Sequence, residues 1–177
     1  MDEKQLEILI QDVSNGNLDA LENIYVSTST AVYGFALSML KNKSDAEDVV
    51  HDTYLSVLKG SAQYKNYGKP LAWILRITKN LCLDKLRKQT RYADVEIEDW
   101  MLVEEENKNE YKELLGLCFH ILTDEERNIV VLHALSGLKF REIANILEKP
   151  LATVLSKYHR SLKRLKNEII ERSLYEQ

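Results

Sequence analysis

Apolar residues recur at three- and four-residue intervals through most of the chain, a spacing that collects them on one face of an α-helix. Leu6, Ile10 and Val13 start the pattern, and Asn15–Gly16 closes the first helix. Asn17 can cap a second helix, which runs through Leu18, Leu21, Ile24 and Tyr25 and continues by way of Val32, Phe35, Ala36 and Met39. Lys41–Asn42–Lys43 predicts a short connection. Ser44 and Glu47 have capping-box spacing, so a third helix is expected over Asp45 to Leu58. Ala46, Val50, Tyr54 and Val57 form its core stripe. Asp45, Asp48 and Asp52 line up on the far side, flanked by Leu55 and Ser56. The helix dipole favours acids in a first turn, which accounts for Asp45 and Asp48 but not for Asp52. An acidic face of this kind suits a basic partner.

Pro70 to Lys88 predicts the next helix, since Pro70 fits a first turn and no glycine or proline interrupts the rest. Leu71, Ile74, Ile77, Leu81 and Cys82 are expected on the inner side. Arg76, Lys79, Asn80 and Arg87 are expected on the outer side, with Trp73 and Asp84 at the boundary. Lys85 points to the apolar side and is expected to snorkel outward. The loop ahead of this helix, residues 60–69, interleaves rings, a cation and an amide at Tyr64, Lys65, Asn66 and Tyr67. Unstacked bases are held by that mixture, through ring stacking and neutralisation of backbone charge.

Beyond residue 90 the periodicity dissolves into acidic sequence, read as a linker over residues 91–108 with Trp100, Met101 and Leu102 as a docking point. It separates a domain at 1–90 from one at 109–177. In the second, Thr123 and Glu126 form a capping box ahead of Ile129, Val130, Leu132 and His133, and Ser136–Gly137 ends that helix. Two helices follow, Lys139–Leu147 and about Leu151–Lys166, parted by Glu148–Lys149–Pro150. That is helix-turn-helix spacing. Leu151, Val154, Tyr158, Leu162 and Leu165 are expected inside. Thr153, Ser156, Lys157, Arg160, Lys163 and Arg164 are expected on the opposite face, where they suit a DNA major groove. The fold class is therefore all-α: two small helical domains joined by an acidic linker.

Charge sharpens this picture. A net −4 conceals alternating blocks. Residues 1–58 carry ten acids against three lysines, and residues 64–92 carry eight bases against Asp84 alone. Residues 94–113 carry nine acids against two lysines, and residues 139–166 carry eight bases against two acids. Two basic blocks imply two anionic contacts. Cys82 and Cys118 lie in apolar patterns without metal-ligand spacing and read as buried reduced thiols. With neither a leader-like apolar run nor the ~20 apolar residues of a membrane span, a cytoplasmic protein without membrane insertion is expected.

Several stretches together resemble the extracytoplasmic-function group of bacterial RNA polymerase sigma factors, the small two-domain branch of the sigma-70 family. DAEDVVHDTYLSVL (45–58) is similar to that family's second conserved stretch. WILRITKNLCLDKLRK (73–88) resembles its promoter-melting, −10-reading helix at Trp73, Arg76, Ile77, Asn80, Asp84, Leu86, Arg87 and Lys88. LTDEERNIVVLHALSGLKFREIANIL followed by TVLSKYHRSLKRLK resembles its −35-reading domain. The resemblance implies that Asp45, Asp48, His51, Asp52 and Leu55 dock on core RNA polymerase. It implies that the 60–69 loop, with Trp73 and Asn80, captures a flipped base of the non-template single strand at −10, while Arg76, Lys79, Arg87 and Lys88 hold phosphates. The Thr153-to-Arg164 face would then enter the duplex at −35, and the linker would pass through the polymerase's RNA channel. No catalytic residue, metal or cofactor is implied. An anti-sigma factor is a further candidate partner.

The sequence departs from the family pattern at His51 (usually glutamine), Asp52 (usually glutamate), Glu148 (commonly glycine), Ala152 (frequently glycine) and Leu155 (frequently lysine). Glu148 is expected to shift the angle between the two helices, and Leu155 to remove a phosphate contact. A helix-turn-helix regulator acting without polymerase would explain residues 123–166 but leave the first domain without work. His51–Asp52 also occurs in metal phosphohydrolases, which need further converging histidines and acids. The other histidines, His120, His133 and His159, all lie in the second domain. A purely structural helical adaptor predicts that the cations of the 70–88 helix are dispensable.

Overall fold

The computed structural model describes residues 2–65, 68–91, 116 and 118–175. Asn66 and Tyr67 lie outside the described residues, as does the acidic linker from residue 92 onward with Trp100, Met101 and Leu102. The chain divides into two compact units, Met1–Trp100 and Met101–Gln177. Among the described residues both are helical, without strands.

The first unit contains α1 (Glu3–Ser14), α2 (Leu18–Leu40), α3 (Lys43–Gly60), a single 3₁₀ turn at Ser61–Gln63, and α4 (Pro70–Arg91). Asp2 and Gln5 build a capping box at the start of α1, and Leu6, Ile10 and Val13 are buried as their spacing requires. Asn17 caps α2 by accepting from the Asp19 N–H at 3.1 Å. The start of α3 differs from the expected one. Asn42, not Ser44, is its N-cap, accepting from the Asp45 N–H at 2.9 Å. Lys41 ends α2 in the left-handed conformation, so the link is shortened to two residues.

Helix α2 packs against α1, α3 and α4 and forms the middle of this unit. Ile24, Val32, Phe35, Val57, Ile74 and Leu75 are fully enclosed. Each such side chain is worth roughly 1.5–3 kcal/mol on leaving water. In this unit the buried hydroxyls among the described residues are satisfied. Thr28 and Tyr54 share a 2.8 Å bond between α2 and α3, and Thr53 and Thr78 meet at 3.3 Å between α3 and α4.

The second unit contains α5 (Asp124–Ser136), α6 (Phe140–Leu147) and α7 (Leu151–Tyr175), with residues 118–121 also helical. Cys118, Leu122, Val130 and Leu165 form a buried cluster, against which Ile121 and Tyr158 pack. Burial pushes the thiols of Cys82 and Cys118 up, to about 12 and about 11, as expected of inert core cysteines. Arg127 is buried, with Asp124 at 2.6 Å and the Phe119 ring 4.3 Å from its guanidinium carbon. His133 holds the helix-turn-helix together: Nδ1 donates to the Leu138 carbonyl at 2.9 Å, and the ring stacks on Phe140 and meets Tyr158 edge-on. Glu148 adopts φ +55°, ψ +45°, so the turn keeps a left-handed step without glycine.

Candidate nucleic-acid interface

In the first unit the outer face of α4 carries Arg76, Asn80, Arg87 and Lys88, all exposed, with Trp73 half-buried at its head. Lys65 is exposed as well. Arg87 reaches Asp84 one turn away at 3.1 Å, a solvent-screened pair that leaves the cation accessible. Lys79 does not join this face. It is only 8% exposed, because the buried arc of α4 is turned toward Leu75 and Lys79 relative to the expected stripe. The arc runs through Ile74, Leu75, Thr78, Lys79 and Cys82, while Leu71, Ile77 and Leu81 are half-buried. Contact with α1, α2 and α3 together sets this arc. Thr78 is admitted to it because its hydroxyl donates to the Ile74 carbonyl at 3.1 Å.

Tyr64 has intramolecular work. Its ring lies 4.8 Å from that of Trp73, and its hydroxyl donates to Glu7 Oε1 at 3.3 Å. Burial first, then the neighbouring Glu7 carboxylate, pushes its phenol up to about 12. The same Glu7 oxygen accepts the Gly68 N–H at 2.8 Å, and Glu3 pairs with Lys69 at 3.4 Å. Gly60 lies under the Trp73 indole, where an added Cβ would stand 3.4 Å from Cζ2.

The acidic stripe of α3 is divided. Asp52 and His51 are exposed and Leu55 is 39% exposed, as a docking face requires. Asp45 instead turns onto α4. Lys85 Nζ reaches Asp45 at 2.8 Å and Asp48 at 2.7 Å, and Gln89 donates to Asp45 at 2.5 Å. Thus Lys85 snorkels sideways onto the acids of α3 rather than into water. Desolvation works against its charge, but the two carboxylates outweigh it and hold its pKa above the usual lysine value. Asp48 keeps most of its surface exposed; Asp45 does not.

In the second unit Ser156, Arg160 and Lys163 project from α7 into solvent, with Thr153 half-buried at its first turn. Two cations expected beside them face α5. Lys157 pairs with Glu125 at 2.9 Å, to which Lys149 also extends at 3.4 Å. Arg164 pairs with Glu126 at 2.8 Å and donates to the Ile121 carbonyl. Hydrogen bonding from Lys157 is the main cause of the lowered Glu125 pKa. For Glu126, burial raises the pKa, but Thr123 and the cations Arg164 and Lys157 more than reverse it. The inner stripe of α7 is Val154, Tyr158, Ser161 and Leu165. Leu162, expected inside, is 42% exposed; Ser161 is buried in its place with its hydroxyl on the Lys157 carbonyl at 2.8 Å.

Glu3, Glu7, Glu125 and Lys85 carry the tertiary ion pairs and loop contacts, yet sequence reading gave them no such part. Glu126 was visible only as half of a capping box. Their partners lie 24 to 66 positions away, beyond any helical spacing rule. Among the described residues no group of three His, Cys, Asp or Glu side chains could hold a metal ion, and no helix is long and apolar enough to cross a membrane.

The family model for Sigma-70 region 2 matches residues 24–92, and that for Sigma-70, region 4 matches residues 112–165. The chain is 26% identical over 172 residues to the ECF RNA polymerase sigma factor SigK of Mycobacterium ulcerans (strain Agy99), covering 92% of each. It is 24% identical over 172 residues to SigK of Mycobacterium tuberculosis (strain ATCC 25177 / H37Ra), again covering 92% of each. Among solved structures, the sigma factor RpoE from Bartonella quintana, in complex with the anti-sigma factor NepR, superposes with a TM-score of 0.70 at 22% identity. That match covers 82% of this chain and 94% of the other. CnrH, in complex with the cytosolic domain of CnrY, gives 0.67 at 21% identity, covering 94% and 98%. With region 2 and region 4 in order along one helical chain, this protein belongs to the sigma-70 family of RNA polymerase sigma factors, in its extracytoplasmic-function group.

Proposed function

We propose that this chain binds core RNA polymerase, directs it to specific promoters and assists DNA melting at the start of transcription. The observation that carries the residue assignment is a pair of exposed basic faces, one on each unit, the first headed by an aromatic side chain. Trp73 and Asn80 read a flipped −10 base of the non-template strand, while Lys65, Arg76, Arg87 and Lys88 hold its phosphates. Stacking and phosphate contacts offset unpairing, which costs a few kcal/mol per extruded base. Thr153, Ser156, Arg160 and Lys163 meet the −35 duplex through its major groove. Asp48, His51, Asp52 and Leu55 form the polymerase-docking face, and Asp45 supports it from behind. Residues 1–90, 91–108 and 109–177 serve as −10 domain, linker and −35 domain.

On this reading the polymerase performs the chemistry. The chain needs no catalytic residue or cofactor, works in the cytoplasm, and is open to control by an anti-sigma factor. The test is run-off transcription from the protein's own upstream region with core polymerase, with and without the chain. Transcripts that require the chain are expected. Tight promoter binding by the free chain, with no transcript when polymerase is added, would identify a regulator that works without polymerase.

A further inference from the structure

We infer that Glu7, on a helix outside the matched region 2 segment, is a positioning residue that fixes the −10 base-capture site through Tyr64. This rests on the reading of Trp73 and Asn80 as the base-reading pair. One carboxylate oxygen takes two donors from opposite ends of the loop, the Gly68 N–H at 2.8 Å and the Tyr64 hydroxyl at 3.3 Å. Through that one oxygen Glu7 ties both Tyr64 and Gly68 to α1. Gly68 presents its N–H from φ +69°, a conformation glycine adopts without strain.

The tether continues into the site. The ring of Tyr64 packs at 4.8 Å against Trp73, whose indole also lies against Gly60. Trp73 therefore touches both a residue without a side chain and a tyrosine whose hydroxyl is held by Glu7. Lys69, the residue before α4, is drawn to Glu3 one turn earlier on α1, so the same helix face restrains the loop twice. A ring that must stack on an extruded base gains from being held beforehand, because the binding energy is then not consumed in ordering it. Glu7 itself is half-buried beneath the loop and has no need to touch DNA.

The experiment uses holoenzyme assembled from core polymerase and the full chain. Binding is measured to non-template −10 oligonucleotides carrying each of the four bases at the captured position, alongside core-polymerase affinity. Glu7→Ala is expected to reduce the preference for the favoured base about tenfold, the scale of one hydrogen bond to a charged group, with core affinity unchanged. Glu7→Gln keeps an oxygen acceptor in the same place and is expected to retain most of the preference. Tyr64→Phe is expected to share the defect and to be non-additive with Glu7→Ala. Undiminished preference in Glu7→Ala, while Trp73→Ala loses it, overturns the inference and leaves the base-capture reading standing. Loss of core affinity in Glu7→Ala that Glu7→Gln does not restore also overturns it, since the residue is then a fold requirement. If Trp73→Ala and Asn80→Ala both keep full preference, the base-capture reading fails first and takes the inference with it.

Discussion

The two basic helices of this chain manage charge in opposite ways. On α4 two acids of the neighbouring helix, Asp45 and Asp48, are taken up by Lys85 and Gln89, on a different side from Arg76, Asn80 and Lys88. On α7 the acids lie at the start of α5 and engage two of the cations that sequence reading assigned to DNA, Lys157 and Arg164. Segment charge counts cannot see this difference. A helix with four cations on its outer face can offer four contacts or two, depending on where a neighbouring helix begins. Glu125 and Glu126 favour the N-terminal turn of α5 for dipole and capping reasons. The same position brings them against α7, so a local stop signal becomes a tertiary clasp.

Breaking that clasp has the largest expected effect. Glu126→Ala removes the Thr123 capping partner and the Arg164 pair at once, and is expected to destabilise the second unit by about 2 kcal/mol. Hydrogen exchange of α5 and α7 amides in the full chain measures this without relying on Trp73 or Trp100, which lie in the other unit. Thr123→Ala, which spares Arg164, is expected to cost about 1 kcal/mol. Equal losses would show that Arg164 adds nothing.

The salt dependence of −35 duplex binding by holoenzyme sharpens the comparison next. Arg160→Ala and Lys163→Ala should each lower the slope of log K against log salt by about one unit. Glu125→Gln should raise the slope and the affinity instead, because it releases Lys157 toward phosphate. A lowered slope in Glu125→Gln would mean that the acid holds α7 in position and does not restrain its charge.

How far these features could be read from the sequence follows the range of the interactions. The helices, the Asn17 and Thr123 caps, the helix-turn-helix and the resemblance to sigma-70 regions rest on spacings of a few residues, which the sequence displays directly. Lys79 was misplaced because a helix packed against three others buries a wider and differently turned arc than its apolar residues alone suggest. Leu162 was misplaced because Ser161, able to satisfy its hydroxyl on a carbonyl four residues back, can occupy a core position. Asp45 looked like part of an exposed stripe until Lys85, 40 positions later, closed over it. Glu7 carried no signal at all, since its role depends on a loop 57 to 61 positions away.

A smaller effect is expected at the helix-turn-helix. The left-handed conformation of Glu148 costs a residue with a Cβ about 1 kcal/mol relative to glycine, partly offset by the greater freedom of unfolded glycine. Glu148→Gly is therefore expected to stabilise the second unit by about 0.5 kcal/mol, seen as slower exchange at the α6–α7 junction. A destabilised variant would show that the contacts of the Glu148 side chain outweigh the strain.

The least effect near neutral pH, and the one that separates the two clasps, comes from titration. Glu125 and Glu126 have lowered pKa values in the folded chain. Their contribution is fully present above the ordinary value of 4.5 and is lost as pH falls through the folded values below it. Lys85 has the opposite sign. Its contribution is fully present below 10.5 and is lost as pH rises through a folded value above that. Exchange protection of α5 and α7 should therefore weaken on acidification below about 4.5, and Glu125→Gln with Glu126→Gln should remove most of that acid dependence. Protection at the α3–α4 contact should fall at the alkaline end, and Lys85→Met should remove the part that belongs to the lysine. An acid profile of α5 and α7 that is the same with and without the two glutamine substitutions would mean that the clasp contributes little to the folded second unit, and that Lys157 and Arg164 are free to meet DNA.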